Sequence, residues 1–210
     1  MHYLWFDTET GGLDSKKHSL LTAYFAICDK NLVVIDELYL QLKPEDVSKV
    51  SVTEFAMNVN KINLAEHLAD KNTVTYAEGK EQLIAMLNKN KIPRKRKSFR
   101  PCGHNITFDK NFIWDQFVDK ETWDKMIHYN DLDTLSVCTF LQDANIFPDG
   151  VQKLTDLVEY LDLPIGEAHN ARGDVLMNIV VYKSIRSLMK TKKEGMLGGA
   201  SSSLLQIIEK

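Results

Sequence analysis

Apolar and polar positions change period several times along the chain, and each change marks an element. From His2 to Asp7 an apolar run ends on an acid and is followed by Gly11-Gly12, the pattern of a short buried strand whose end opens onto a site. Leu20 to Asp29 is rich in apolar and aromatic residues and predicts a second strand. Leu32 to Lys43 alternates in its second half, as a half-buried third strand does. Asp29-Lys30-Asn31 between them suits a hairpin turn, so three antiparallel strands are expected first. Residues 45–90 read as mainly helical, with Leu83, Ile84 and Leu87 forming a stripe within Ala77 to Leu87. Ile92-Pro93 closes that helix. Ser98 to His104 predicts a fourth strand leading into a helix from Thr107 to Phe117, and Met126 to Asp131 predicts a fifth strand. Asp133 is placed to cap a helix running to Gln142. Val151 to Leu161 and Asn170 to Lys190 read as the remaining helices.

Strands first and strand–helix alternation afterwards predict an α/β fold, a mixed five-stranded sheet flanked by helices. Residues 1–193 are expected to form one domain. Gly195, Gly198, Gly199 and Ser201 to Ser203 make a flexible joint within 194–210. The tail after it, Leu204 to Lys210, is left open between a short helix, a disordered end and a docking segment. The 210 residues are 44% hydrophobic and 26% charged, the balance of a globular protein. A net charge of -3, from 29 acidic and 26 basic residues, excludes a histone-like polycation and a wholly disordered chain. It leaves nucleic acid open as a partner, because local charge decides that. Cys28, Cys102 and Cys138 lie far apart without a CxxC pair, so free thiols are expected rather than a zinc knuckle or disulfide framework. The apolar start is too short for a signal peptide or membrane helix. A cytoplasmic enzyme with no membrane partner is the expectation.

Three segments carry candidate chemistry. Strand side chains alternate faces, so Asp7 and Glu9 in FDTET point the same way. Two carboxylates on one face repel unless a cation lies between them, and hard oxygen donors favour Mg²⁺ or Mn²⁺. Alone, a D-x-E pair is a weak signal, because chance matches are common and most are solvated surface. The second segment, Gly103 to Asp109, leaves a strand and opens a helix. Its Asp109 suits a first helical turn even without function, while Asn105 and Phe108 offer an amide and an aromatic face to a nucleotide. In the third, His169-Asn170-Ala171-Arg172-Gly173-Asp174, the histidine and aspartate are either a loop residue and a helix cap or an acid–base pair.

Taken together and in this order, FDTETGGL, GHNITFDKNFI and HNARGD resemble the DEDDh family of 3′→5′ exonucleases, the DnaQ-like proofreading group. The resemblance spans about Met1 to Lys190. It implies a ribonuclease H-like fold and two divalent ions, Mg²⁺ or Mn²⁺, held by Asp7, Glu9, Asp109 and Asp174, with Asp7 shared. It also implies that His169 takes the proton of the attacking water. Tyr182 follows Asp174 and cannot serve as the tyrosine of the sister group. Thr10, Leu13 and Phe108 are then expected around the terminal nucleotide, Leu13 as a wedge between bases. Glu54 to Ile62 resembles the segment lining that pocket, but Asn60-Lys61-Ile62 stands where many relatives carry His-Gly-Ile, leaving Asn60 as a base or sugar contact. The basic run Arg94-Lys95-Arg96-Lys97 reads equally as a solvated loop or as a substrate rim. The implied activity is 3′→5′ hydrolysis of DNA, single strands preferred, to nucleoside 5′-monophosphates. An exoribonuclease or oligoribonuclease, a polymerase-associated subunit in replication or repair, and a silent nucleic-acid-binding module are its alternatives.

Overall fold

The computed structural model describes residues 1–164 and 170–197. Its six-stranded sheet has the order β4-β3-β2-β1-β5-β6, with β1 His2–Thr10, β2 Leu20–Cys28, β3 Val34–Lys43, β4 Thr73–Thr75, β5 Phe99–Gly103 and β6 Leu132–Asp133. The first three strands pair antiparallel, as their hairpin spacing predicts, and β5 and β6 add parallel to β1. The central strand β2 is buried at all nine positions, which explains its continuous apolar run.

Helices α1 Glu54–Asn60, α2 Leu64–Ala69 and α3 Tyr76–Lys89 lie between β3 and β5. Thr75 and Glu78 start α3 with reciprocal capping bonds. Helix α4 Ile106–Phe112 continues into a π-helical segment, Ile113–Phe117, and α5 Lys120–Met126 follows. Helices α6 Thr134–Asp143, α7 Leu154–Tyr160 and α8 Ala171–Leu197 complete the described chain. On one sheet face Leu4, Phe6, Phe25 and Leu40 pack on Leu83 and Leu87 of α3, on Phe112, Phe117 and on Trp123. On the other, Trp5, Tyr24 and Ala26 pack on Val175 and Ile179 of α8. Cys138, Leu157 and Val181 tie α6 and α7 to the back of α8.

Two expectations need correction. The sheet has a sixth strand, because Thr73–Thr75 pairs with Gln41–Lys43 inside the stretch read as helical; three residues are too short to show a period. The fifth strand is not Met126 to Asp131. Helix α5, which Asp119 caps by accepting from Thr122 N at 2.8 Å, takes Met126 as its last residue, Ile127 keeps one isolated bridge to Phe99, and pairing resumes at Leu132–Asp133. Helix α8 carries through 194–197, where the sequence places the start of the Gly/Ser joint; 198–210 lie outside the described residues. Among the described residues no helix is long and apolar enough to cross a membrane.

Candidate active site

Asp7 and Glu9 stand at the C-terminal end of β1, on the face covered by α8. The first turn of α8 brings Asp174 to them: one carboxylate oxygen from each of the three lies within 4.8 Å of the others. Asp109, in the first turn of α4, is buried beside them and held from between the pair. Thr8 donates to its Oδ1 through the backbone N–H at 2.9 Å and the hydroxyl at 2.6 Å. Four acids distant in sequence thus converge. Burial, followed by the charges of Asp109, Glu9 and Asp174, holds the Asp7 carboxyl well above the usual carboxylate range. Burial together with Asp174 and Asp109 pushes Glu9 up to about 7. Burial also raises Asp109, against the two bonds from Thr8. Such a set stays ionised at neutral pH only with positive charge among it. Half-buried hard oxygens at this spacing fit a divalent cation.

A polar chain fixes the turn that carries Asp174. Thr134 Oγ1, fully buried at the start of α6, donates to Asn178 Oδ1 at 2.8 Å, one helical turn beyond Asp174. The same oxygen lies 3.1 Å from Gly103 O and 3.0 Å from His104 Nδ1. The loop before α4 and the start of α8 are therefore pinned through one hydroxyl. Burial lowers the pKa of His104, which favours the neutral ring there. Asp133 caps α6 by accepting from Leu135 N at 3.1 Å, as the sequence suggests, and also takes Asn105 N–H at 2.8 Å.

Beside the carboxylates opens a cavity of about 440 Å³ lined by Thr8, Glu9, Thr10, Leu13, Phe55 and Phe108, among others. The structure brings Thr10, Leu13, Asn60 and Phe108 to it, but not Asn105, which adopts φ 57° and enters α4 elsewhere. Leu13 is 78% exposed, free to meet a ligand. Thr10 and Asn60 are spent on the fold: the Thr10 hydroxyl donates to Gly12 O at 2.7 Å, and Asn60 Nδ2 donates to Thr10 O at 3.1 Å. Asn60 Oδ1 accepts from Ile62 N at 3.0 Å, so this side chain clamps the end of α1 to β1. Gly11 and Gly12 serve close approach rather than a left-handed turn. A Cβ on Gly11 would stand 2.4 Å from Ser51 O, and one on Gly12 would stand 2.5 Å from the His18 ring.

No sequence motif singles out Thr8 or His18, and Phe55 falls within the Glu54 to Ile62 segment expected to line the pocket. Phe55 is 71% exposed and lines the cavity, so an apolar residue on the outer face of a capped helix was the available signal. Arg94 to Lys97 lie at the opposite end of the sheet. Ser98 O accepts from His2 N at 2.9 Å there, nearly the whole length of β1 away from Glu9. The run is not a rim of this cavity. His169 lies outside the described residues; the helix that follows it begins at Ala171.

Comparison with known proteins adds a family and a fold. The family described as RNase_T, Exonuclease, matches residues 4–182. A curated oligoribonuclease of Corynebacterium glutamicum is 24% identical over 179 residues, covering 84% of this chain and 74% of the relative. That of Corynebacterium efficiens is 22% identical over 177 residues, covering 84% and 73%. Among solved structures, E. coli exonuclease I in complex with a dT13 oligonucleotide superposes with a TM-score of 0.71 at 17% identity, covering 93% of this chain and 43% of the other. Exonuclease I of Methylocaldum szegediense gives 0.70 at 19% identity, covering 89% and 40%. The chain thus spans about two fifths of those exonuclease I chains, and the likeness to them is one of fold.

Proposed function

The chain belongs to the RNase_T exonuclease family, and from that premise we propose that it is a metal-dependent 3′→5′ exonuclease that removes nucleoside 5′-monophosphates from single strands, DNA first. The observation that carries the reading is the convergence of Asp7, Glu9 and Asp174 within 4.8 Å beside a cavity of nucleotide size. Asp7, Glu9, Asp109 and Asp174 would hold two divalent ions, Mg²⁺ or Mn²⁺. Bound there, the ions would lower the pKa of a water and offset charge on the phosphate and the leaving oxygen.

The chain's own residues do the rest. Leu13, Phe55 and Phe108 give the terminal nucleotide an apolar seat, which orients it by stacking and shape. Thr8 keeps Asp109 turned toward the other carboxylates. His169, five residues before Asp174 in the sequence, is assigned the role of general base, worth typically 10²–10⁴-fold. Seating by shape rather than sugar hydrogen bonds favours DNA. The donors of Thr8, Thr10 and Asn60 are engaged within the fold, leaving those side chains ill placed to read a 2′-hydroxyl. The names of the two Corynebacterium relatives favour the second reading, short RNA oligomers.

The test is digestion of 3′- and 5′-labelled DNA and RNA oligomers with Mg²⁺, Mn²⁺ or EDTA, beside Asp7→Ala and His169→Ala. Stepwise shortening from the 3′ end is expected, absent in EDTA and in Asp7→Ala, with the histidine variant slowed on the order of 10²–10⁴-fold. Shortening that survives chelation would overturn the reading. Faster release from RNA than from DNA would replace the first substrate by the second.

A further inference from the structure

The cavity lies to one side of the carboxylates, and a different surface lies to the other. In the sheet register Asp7 pairs with Tyr24, and Tyr24 with Tyr39. Alternation puts these three on one face of the sheet, together with Glu9 and Glu37. Beyond α8 this face is open at Tyr39, which is 48% exposed. Arg172, in the same first turn of α8 as Asp174, reaches over the row. Its guanidinium stands 5.9 Å from the Tyr24 ring centre, and its Nη2 stands 3.5 Å from Glu37 Oε1. Tyr24 itself is buried, and its hydroxyl donates to the other Glu37 oxygen at 2.6 Å. Of these residues only Glu9 lines the nucleotide cavity; Tyr24, Glu37, Tyr39 and Arg172 do not.

We propose that Arg172 and Tyr39 form a second contact for the substrate strand, Arg172 taking a backbone phosphate and Tyr39 a base of the nucleotides upstream of the bond that is cut. It rests on the exonuclease reading and extends it. With its last nucleotide in the cavity and the scissile phosphate at the carboxylates, a strand continues onto the Tyr24–Tyr39 face. An anionic backbone meets four acids on the way, and Arg172 puts a cation on the helical turn that carries Asp174. The Arg172–Glu37 pair is half-exposed, the kind of contact that contributes little on its own. A phosphate therefore displaces Glu37 readily, while Tyr24 keeps the carboxylate bonded and its ring beside the guanidinium. Tyr39 is an exposed aromatic side chain, which suits stacking without sequence preference.

The surface predicts a dependence on strand length. Thymidine oligomers of two and six nucleotides, 5′-labelled, are titrated with protein in Ca²⁺ and followed by fluorescence anisotropy. Arg172→Gln and Tyr39→Ala should each weaken the hexamer by about tenfold and leave the dimer within about twofold. Arg172→Gln should also lower the salt slope of hexamer binding by about 0.7, the share of one phosphate on a single strand. Tyr39→Phe should bind as wild type. Glu37→Gln should tighten the hexamer only where Arg172 is present, a coupling that a double-mutant cycle reads directly. Equal weakening of both lengths, no weakening of either, or tightening by Glu37→Gln without Arg172 would overturn the proposal. A length-dependent loss beside a wild type that never shortens a 3′ end would leave this contact standing and sink the exonuclease reading alone.

Discussion

At the scale of single residues the carboxylate cluster works against the fold that holds it. Glu9 has a native pKa of about 7 against an ordinary 4.5, raised by burial and by Asp174 and Asp109. A group whose pKa is raised on folding contributes stability in its protonated form. That contribution is complete below the unfolded value and is lost as pH climbs through the folded one. Asp7 is raised for the same causes. In EDTA the melting temperature should therefore fall between about pH 5 and 8, by about 2–4 °C for each kcal/mol lost in a chain of this size. Mg²⁺ should restore it near pH 8 and do little at pH 5, and Glu9→Gln should flatten the metal-free slope. Thermal melts across pH, with and without Mg²⁺, check this; a metal-free melting temperature that climbs with pH would contradict it.

Among the elements, the crossing of α8 over the sheet decides whether Asp174 meets Asp7 and Glu9. Thr134 Oγ1 joins the His104 loop, the start of α6 and Asn178 of α8. Thr134→Val keeps the shape and removes the shared hydroxyl, leaving buried partners unpaired at a cost of about 1–3 kcal/mol. A fall in melting temperature is expected, together with a weaker response of that temperature to Mg²⁺, because the turn bearing Asp174 is released. Thr134→Ser should recover both. Destabilisation with an unchanged Mg²⁺ response would mean that the chain of bonds supports the fold but not the site. The loop after β1 shows the same economy: Gly11 N–H donates to Ser19 O and Thr53 N–H to Gly11 O, each at 2.7 Å, which seats α1 over the cavity.

For the whole molecule, two helical layers enclose a sheet, and all three cysteines sit inside. Burial pushes Cys28 up to about 12 and Cys138 up to about 11, and holds Cys102 well above the usual thiol range. A thiol reagent at pH 8 should find none of them in the native protein and all three after unfolding in guanidinium; prompt reaction of one native thiol would show a locally open core. The expectation of free thiols came from spacing alone. So did the three opening strands and the helix after Gly103, because apolar runs and turn residues are local signals. The short β4, the helix over Lys120–Met126 and the two-residue β6 were not legible, since pairing partners and caps set them rather than any period.

By itself the sequence determined the layered α/β fold, and it singled out the four acids as candidates through alternation along a strand and three motifs in a fixed order. Only the tertiary structure decided what stands around them. Asn60 looks like a ligand contact and is a clamp, because a buried amide satisfies the nearest backbone groups. Arg94 to Lys97 read equally as a solvated loop or a substrate rim and lie at the far end of β1, because strand direction sends the α3–β5 loop there. Tyr39 lies in no motif, and Arg172 lies in one whose expected roles fall on His169 and Asp174, yet register and helix crossing bring both to the row that starts at Asp7. Local chemistry fixes which groups can act; long-range pairing fixes which of them meet.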